Sequence, residues 1–194
     1  MTSKESILNA IKNHKPEATA LPELLVFPKE PQLIERYEKG LNGNGGKLQQ
    51  VQSLAEVQQY VNSHYTADQL VASLVDEVSG NVDVRKISDP HDLEHVEVAV
   101  VRGELGVAEN GAIWMPEANV VHRVLPFIAQ HLIIIIEEET LLTNMHEAYQ
   151  KVNVAESGYG VFIAGPSKTA DIEQSLVIGA HGPRSLTVFL LRKS

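Results

Sequence analysis

The sequence predicts an α/β fold, on three observations. Short unbroken runs of Val, Ile and Leu recur, as in Val96–Val101, Leu132–Ile136 and Ser185–Leu191. Segments with helical spacing of apolar residues are interleaved with them. The runs are too continuous for a sheet with one wet face, so they read as strands of a largely parallel sheet buried on both faces and flanked by helices. The 194 residues, 43% hydrophobic and 21% charged, suffice to bury such a core and are too apolar for extensive disorder.

Each element has a local reason. Residues 4–13 place Ile7, Leu8 and Ile11 on one helical face, with Ser3 as a cap. Residues 14–30 carry Pro16, Pro22 and Pro28 and read as an extended arm. Such an arm wraps its own domain or a neighbouring subunit, so a homo-oligomer joined through it is the expectation. Pro31 suits the first turn of a helix through Leu41, with Leu33, Ile34 and Tyr37 facing inward. The glycine-rich stretch Gly40–Lys47 fits neither phosphate-loop pattern and reads as a helix C-cap and turn. A strand near Leu48–Val51, a helix over 53–64 and a strand near Leu70–Val75 follow. After Val96–Val101 come strand Gly111–Met115, strand Leu132–Ile136, an amphipathic helix Thr140–Val152 and strand Val161–Ala164. A helix over Thr169–Gly179 and the final strand Ser185–Leu191 complete the chain. The helix and arm of residues 1–30 separate from a single domain over 31–194.

Composition narrows the chemistry. Sixteen basic against 25 acidic residues give a net charge of −9, which weighs against nucleic acid or an anionic membrane as partner. The absence of cysteine removes disulfides, thiolate nucleophiles, zinc knuckles and cysteine-bound iron–sulfur clusters. The N-terminus has no apolar signal region, and the run Leu132–Ile136 stops at Glu137-Glu138-Glu139, so a cytoplasmic chain without a membrane span is expected. His91-Asp92-Leu93-Glu94-His95 has the H-x-x-E-H pattern of inverted zinc proteases, but the Val96 strand leaves only about one helical turn for it. His122, His131 and His146 share no spacing, and no G-x-S-x-G elbow occurs. Neither a metal nor a cofactor is expected.

Three segments carry candidate chemistry. Gly165-Pro166-Ser167-Lys168-Thr169 follows a strand and opens the predicted helix, where free N–H groups, the Ser167 and Thr169 hydroxyls and the Lys168 charge favour an anion. Helix capping accounts for the same residues equally well. In Gly179-Ala180-His181-Gly182-Pro183-Arg184, His181 and Arg184 can engage a carboxylate or phosphate, or simply face solvent on a turn. Gly106–Ile113 reads as strand–turn–strand with Glu109 at its tip, a position for a base or nucleophile, or for an ordinary Asn-Gly turn.

At these residues the chain resembles the LUD domain, the lactate-utilisation protein C family. GPSKTADIEQSLVIGAHGPRSLTVFLL is similar to the family's C-terminal hallmark, and GVAENGAI resembles its acidic turn. Asn110 and Ala112 stand where the family usually has hydroxyl residues. The resemblance implies a LUD domain over residues 31–194, with a core like the NagB/RpiA/CoA-transferase group. It implies a role in oxidising L-lactate to pyruvate beside iron–sulfur partner proteins. With the candidate segments above, it points to a small organic anion bound by Gly165, Ser167, Lys168, Thr169, His181 and Arg184. In a CoA-transferase-like enzyme Glu109 would be the catalytic residue; a metabolite-sensing module without turnover is the further alternative.

Overall fold

The computed structural model describes residues 2–20, 22, 31–170 and 176–192. Helix α1 (Ser3–Asn13) is capped by Thr2, not Ser3: the Thr2 hydroxyl accepts the Glu5 N–H, and the Glu5 carboxylate accepts the Thr2 N–H. Every residue of α1 is exposed, Ile7 and Ile11 included. Residues 14–20 and 22 have no regular structure; the rest of the predicted arm lies outside the described residues.

From α2 (Leu33–Gly43) onward the chain builds layers. Strand β1 (Lys47–Val51), α3 (Leu54–His64) and β2 (Val71–Ser73) lead to β3 (Val98–Arg102). Then come β4 (Leu105–Val107), β5 (Ala112–Pro116), α4 (Leu125–Ile128) and β6 (His131–Glu137). Strand β7 (Leu141–Leu142), α5 (Met145–Lys151), α6 (Val154–Ser157), β8 (Gly160–Ile163), β9 (Lys168–Ala170), β10 (Leu176–Ile178) and β11 (Ser185–Leu191) follow. The central sheet is five-stranded and parallel throughout, in the order β1-β11-β6-β3-β2. A second sheet, β7-β4-β5-β8, mixes one parallel and two antiparallel pairings.

The alternation of side chains along β6 explains the layering. Ile133 and Ile135 face Val57 and Val61 of α3, together with Val98, Val100 and Phe189. Leu132, Ile134 and Ile136 face the other way, into a cluster with Tyr37 and Leu41 of α2, Ile113 and Met115 of β5, and Leu141 of β7. A helix therefore covers one face of the parallel sheet, and α2 with the second sheet covers the other. Both faces are dry, which is why the strands read as unbroken aliphatic runs. The outer face of the second sheet packs Leu105, Val107 and Trp114 against Ala148 of α5. The Tyr37 ring is fully buried, and burial pushes its phenol well above its ordinary range.

Two predicted helices are corrected. The segment expected as Thr140–Val152 opens with a single 3-10 turn and then strand β7, paired with Gly106 and Val107; the helix begins only at Met145. Local bonds fix where the helix starts: the Asn144 side chain caps it by accepting the Glu147 N–H at 3.0 Å, and the Glu147 carboxylate accepts the Thr143 N–H at 3.0 Å. The helix expected over Thr169–Gly179 is replaced at both ends by strands, Lys168–Ala170 pairing antiparallel with Leu176–Ile178. β-branched Thr169, Val177 and Ile178 favour that pairing; residues 171–175 lie outside the described residues.

Candidate functional site

Two of the candidate segments, the Glu109–Asn110 turn and the Gly165 turn, meet the end of α2 around Asn44, a residue that motif reading passes over. Asn44 follows the last turn of α2, and its N–H bonds back to Leu41 O at 3.1 Å. Its side-chain amide donates to Gly40 O at 3.1 Å and to Asn110 O at 2.7 Å, tying the helix end to the Glu109–Asn110 turn. The Gly165 backbone lies so close that a Cβ there would stand 2.6 Å from Asn44 O, and its φ of +148° is one that side chains rarely adopt. A Cβ on Gly45 would touch Pro166 at 3.5 Å and Lys168 Cε at 3.8 Å. The glycine-rich stretch thus packs in ordinary contact against Pro166 and Lys168, while the close backbone approach depends on Gly165 itself. Asn44→Ala removes both side-chain bonds and leaves the half-buried Asn110 carbonyl without its donor. An unfolding free energy lower by about 2 kcal/mol, read from urea denaturation, is the expected result; a change within about 0.5 kcal/mol would show that the amide holds nothing together.

The Glu109–Asn110 turn is built for rigidity. Asn110 Oδ1 accepts the Ala112 N–H at 3.0 Å, and the Gly111 N–H donates to Val107 O at 2.8 Å. Glu109 is exposed, and its Oε2 accepts the Met145 N–H at 2.9 Å, at the start of α5. Between this turn and α2 lies a cleft of about 750 Å³, whose charged lining among the described residues is Glu35, Arg36, Lys39 and Glu109, with Asn44 and Asn110 also on its wall.

The remaining predicted residues divide by location. Gly165, Ser167 and His181 line a second cavity of about 240 Å³, walled by Phe127, Leu132 and Phe162 and closed by Gly182 and Pro183. Its shape comes from backbone bonds: the Ser167 N–H donates to Pro183 O at 2.8 Å, and the Gly179 N–H donates to Ser167 O at 3.0 Å. Among the described residues its lining contains no acidic side chain. Arg184 instead faces a third cleft, with Asp68, Glu94 and Glu97. Lys168 is exposed, and Thr169 is half-buried within β9, paired with Val177. These cavities lie at the amino end of β11, since Arg184 immediately precedes that strand and its N–H bonds to Gln130 O ahead of β6. The carboxyl-edge position usual for ligands of open α/β sheets is therefore not the one occupied here, and the strand at Lys168–Ala170 replaces the helix N-terminus expected to attract the anion.

Histidines elsewhere have local partners. His131 Nδ1 is 2.8 Å from Ser185 Oγ across β6 and β11, and His122 Nε2 is 3.0 Å from Ile87 O. The Tyr65 ring lies 5.7 Å from the His131 ring; burial, aided by Tyr60, pushes its phenol up to about 12. His91 sits in a 3-10 turn with its Nδ1 2.7 Å from Asp89, and His95 pairs with Glu94 at 3.2 Å. Among the described residues no three His, Asp or Glu side chains are gathered for a metal ion, nor is any helix long and apolar enough to cross a membrane.

An α/β core whose parallel central sheet is covered on both faces, with an acidic turn beside α2, defines the class. The LUD domain profile matches residues 86–191, more than half of the chain, and the protein belongs to that family. The matched segment holds both the Glu109 turn and the Gly165–Arg184 region. The chain is 25% identical over 169 residues to the lactate utilization protein C of Oceanobacillus iheyensis, covering 82% of this chain and 67% of that protein. It is 31% identical over 105 residues to the lactate utilization protein C of a Geobacillus species, covering 50% and 43%. The alignment thus spans less than half the length of the latter. The crystal structure of a DUF162 family protein from Deinococcus radiodurans shares the fold, with a TM-score of 0.58 at 16% identity over 84% of this chain and 99% of that one.

Proposed function

We propose that this protein is a cytoplasmic component of L-lactate utilisation that binds a small organic anion in the Ser167–His181 cavity. The observation that carries the reading is the gathering of Gly165, Ser167 and His181 around one pocket with apolar walls and no carboxylate in its described lining. A hydroxyl and an imidazole suit the carboxylate and hydroxyl of a 2-hydroxy acid, while Phe127 and Leu132 suit its methyl group. A volume of about 240 Å³ favours a ligand of that size over a large cofactor. The names of the relatives support the pathway. Lys168, Thr169 and Arg184 lie outside this lining, and Arg184 shares its own cleft with Asp68, Glu94 and Glu97, so the anion site is narrowed to the other three residues.

Oxidation of lactate to pyruvate releases two electrons and two protons. With no cysteine in the sequence to hold a cluster, the electrons pass in this reading to iron–sulfur partner proteins. In this reading the N-terminal helix and arm of residues 1–30 are separate from the domain over 31–194, and copies of the chain join through the arm. Glu109 takes a binding role, because acylation of its carboxylate would weaken the acceptor that holds the Met145 N–H. A strain lacking the gene should fail to grow on L-lactate, with growth restored by the wild-type gene and not by His181→Ala. The purified chain should gain thermal stability with rising L-lactate or pyruvate. Undiminished growth of the deletion strain would overturn the pathway, a flat thermal response the anion site, and a covalent acyl adduct on Glu109 after incubation with acyl-CoA the binding role.

A further inference from the structure

The larger cleft has a different electrostatic character from the anion pocket, and the difference selects its ligand. One wall is α2, where Arg36 and Lys39 stand three residues apart, close to one helical face. Glu35 lies on the same wall, and Glu109 stands on the opposite one. Among the described residues the charged lining is therefore two cations and two carboxylates. A simple anion would meet Glu109 across the gap, and a simple cation would meet Arg36 and Lys39. A molecule carrying both charges satisfies both walls. The Asn44 and Asn110 amides that bond to backbone set the spacing of the walls, since they hold the helix end to the turn. One oxygen of Glu109 is committed to Met145, and among the described residues the other has no hydrogen-bond partner.

We propose that the cleft between α2 and the Glu109–Asn110 turn is a second binding site, for a small zwitterion of amino-acid to dipeptide size. Its acidic group, a carboxylate or phosphate, lies between Arg36 and Lys39, and its ammonium group meets Glu109. Arg and Lys complement each other there, one as a planar fork and one as a mobile point charge. The volume of about 750 Å³ accommodates such a ligand with its surrounding water. The cationic wall lies outside the matched LUD segment, which begins at residue 86, so the site joins the family domain to a helix that precedes the match.

Calorimetric titration of the full chain tests the assignment with three dipeptide probes that share side chains and differ in their terminal groups and charges. L-alanyl-L-alanine carries both charges, its N-acetyl form only the acid and its C-terminal amide only the ammonium. The zwitterion should bind at least about tenfold more tightly than either blocked form, the scale of one lost charge-assisted hydrogen bond. O-phosphoethanolamine against β-alanine separates a phosphate from a carboxylate end; tighter binding of either identifies the acid group. Lys39→Glu should abolish binding of the zwitterion. Glu109→Gln, whose amide oxygen still accepts the Met145 N–H, should bind the zwitterion more weakly and the acetylated probe as well as before or more tightly. His181→Ala should alter none of these affinities, which separates this site from the lactate-sized pocket. Equal binding of zwitterionic and acetylated probes, or no binding of any of them, would overturn the proposal.

Discussion

Gly111→Ala is expected to lower the unfolding free energy by about 3–5 kcal/mol, from two independent causes. Its φ of +70° places the residue in the left-handed region, where any side chain adds strain. An added Cβ would also stand 2.3 Å from Leu41 N, 2.5 Å from Leu41 Cα and 2.7 Å from Gly40 C. These are backbone atoms of a helix, with no rotamer through which to retreat, so α2 or the Glu109–Asn110 turn must move. Gly40 meets the same limit from the other side, since a Cβ there would lie 2.8 Å from Gly111 N. Gly43→Ala is the matched control: nothing lies within 4 Å of its Cβ position, and alanine favours the helix, so stability should hold or rise by up to about 1 kcal/mol. Urea unfolding of the two variants distinguishes the cases. A loss below about 1 kcal/mol for Gly111→Ala would mean that helix and turn are not in rigid contact.

The same contact shows what a sequence can and cannot reveal. Strands β6 and β11 were legible because continuous aliphatic runs occur where both faces are buried, and Ser185–Leu191 is a strand at its predicted bounds. The second sheet was harder to see. Leu141 and Leu142 are adjacent apolar residues that suit a helix or a strand, and pairing with Gly106 and Val107 decides between them through contacts distant in sequence. Thr169–Gly179 failed for a related reason: a polar stretch after a Gly-Pro turn looks like a capped helix, whereas its ends pair as β9 and β10.

The site divides in a similar way. The Glu109 turn and the Gly165–Arg184 region stood out by motif, yet no spacing rule could show that Arg184 faces a carboxylate-lined cleft while Ser167 and His181 share another cavity. Charge signs around each cavity emerge only after folding, because Asp68, Glu94 and Glu97 come from two distant segments to line the same cleft as Arg184. Asn44 was missed since an Asn in a glycine-rich turn carries no chemical signature of its own. The glycines beside it mark no close approach of distant backbone either: a Cβ on Gly43 would meet nothing within 4 Å, one on Gly45 would stand nearest the Pro166 and Lys168 side chains, and one on Gly46 nearest Leu41.

Truncation of the central strand should approach the effect at Gly111. Ile134 is fully buried on β6, the middle strand of the parallel sheet, and points toward α2 and the second sheet. A Cβ built on Gly103 would lie 3.2 Å from Ile134 Cγ2, so that branch already fills the gap left by a glycine. Alanine at 134 removes three carbons from a position where neighbours on both sides are fixed in sheets and relax little, so the cavity persists. The expected cost is about 3–4 kcal/mol, or a melting temperature lower by roughly 10 °C for a chain of this size. Ile7→Ala removes the same three carbons from a side chain that is 58% exposed, and should change stability by less than about 0.5 kcal/mol. The two isoleucines are chemically identical, so the difference between the variants isolates burial from composition. Equal losses at both positions would show that α1 is packed in solution, against this chain or another copy; a negligible loss at Ile134 would contradict a sheet dry on both faces. The cost at Ile134 should carry over to function as well, because β6 begins at His131, beside the Ser167–His181 cavity that Leu132 helps to wall. A variant that folds with a loosened β6 should therefore lose L-lactate stabilisation before it loses binding in the cleft beside α2.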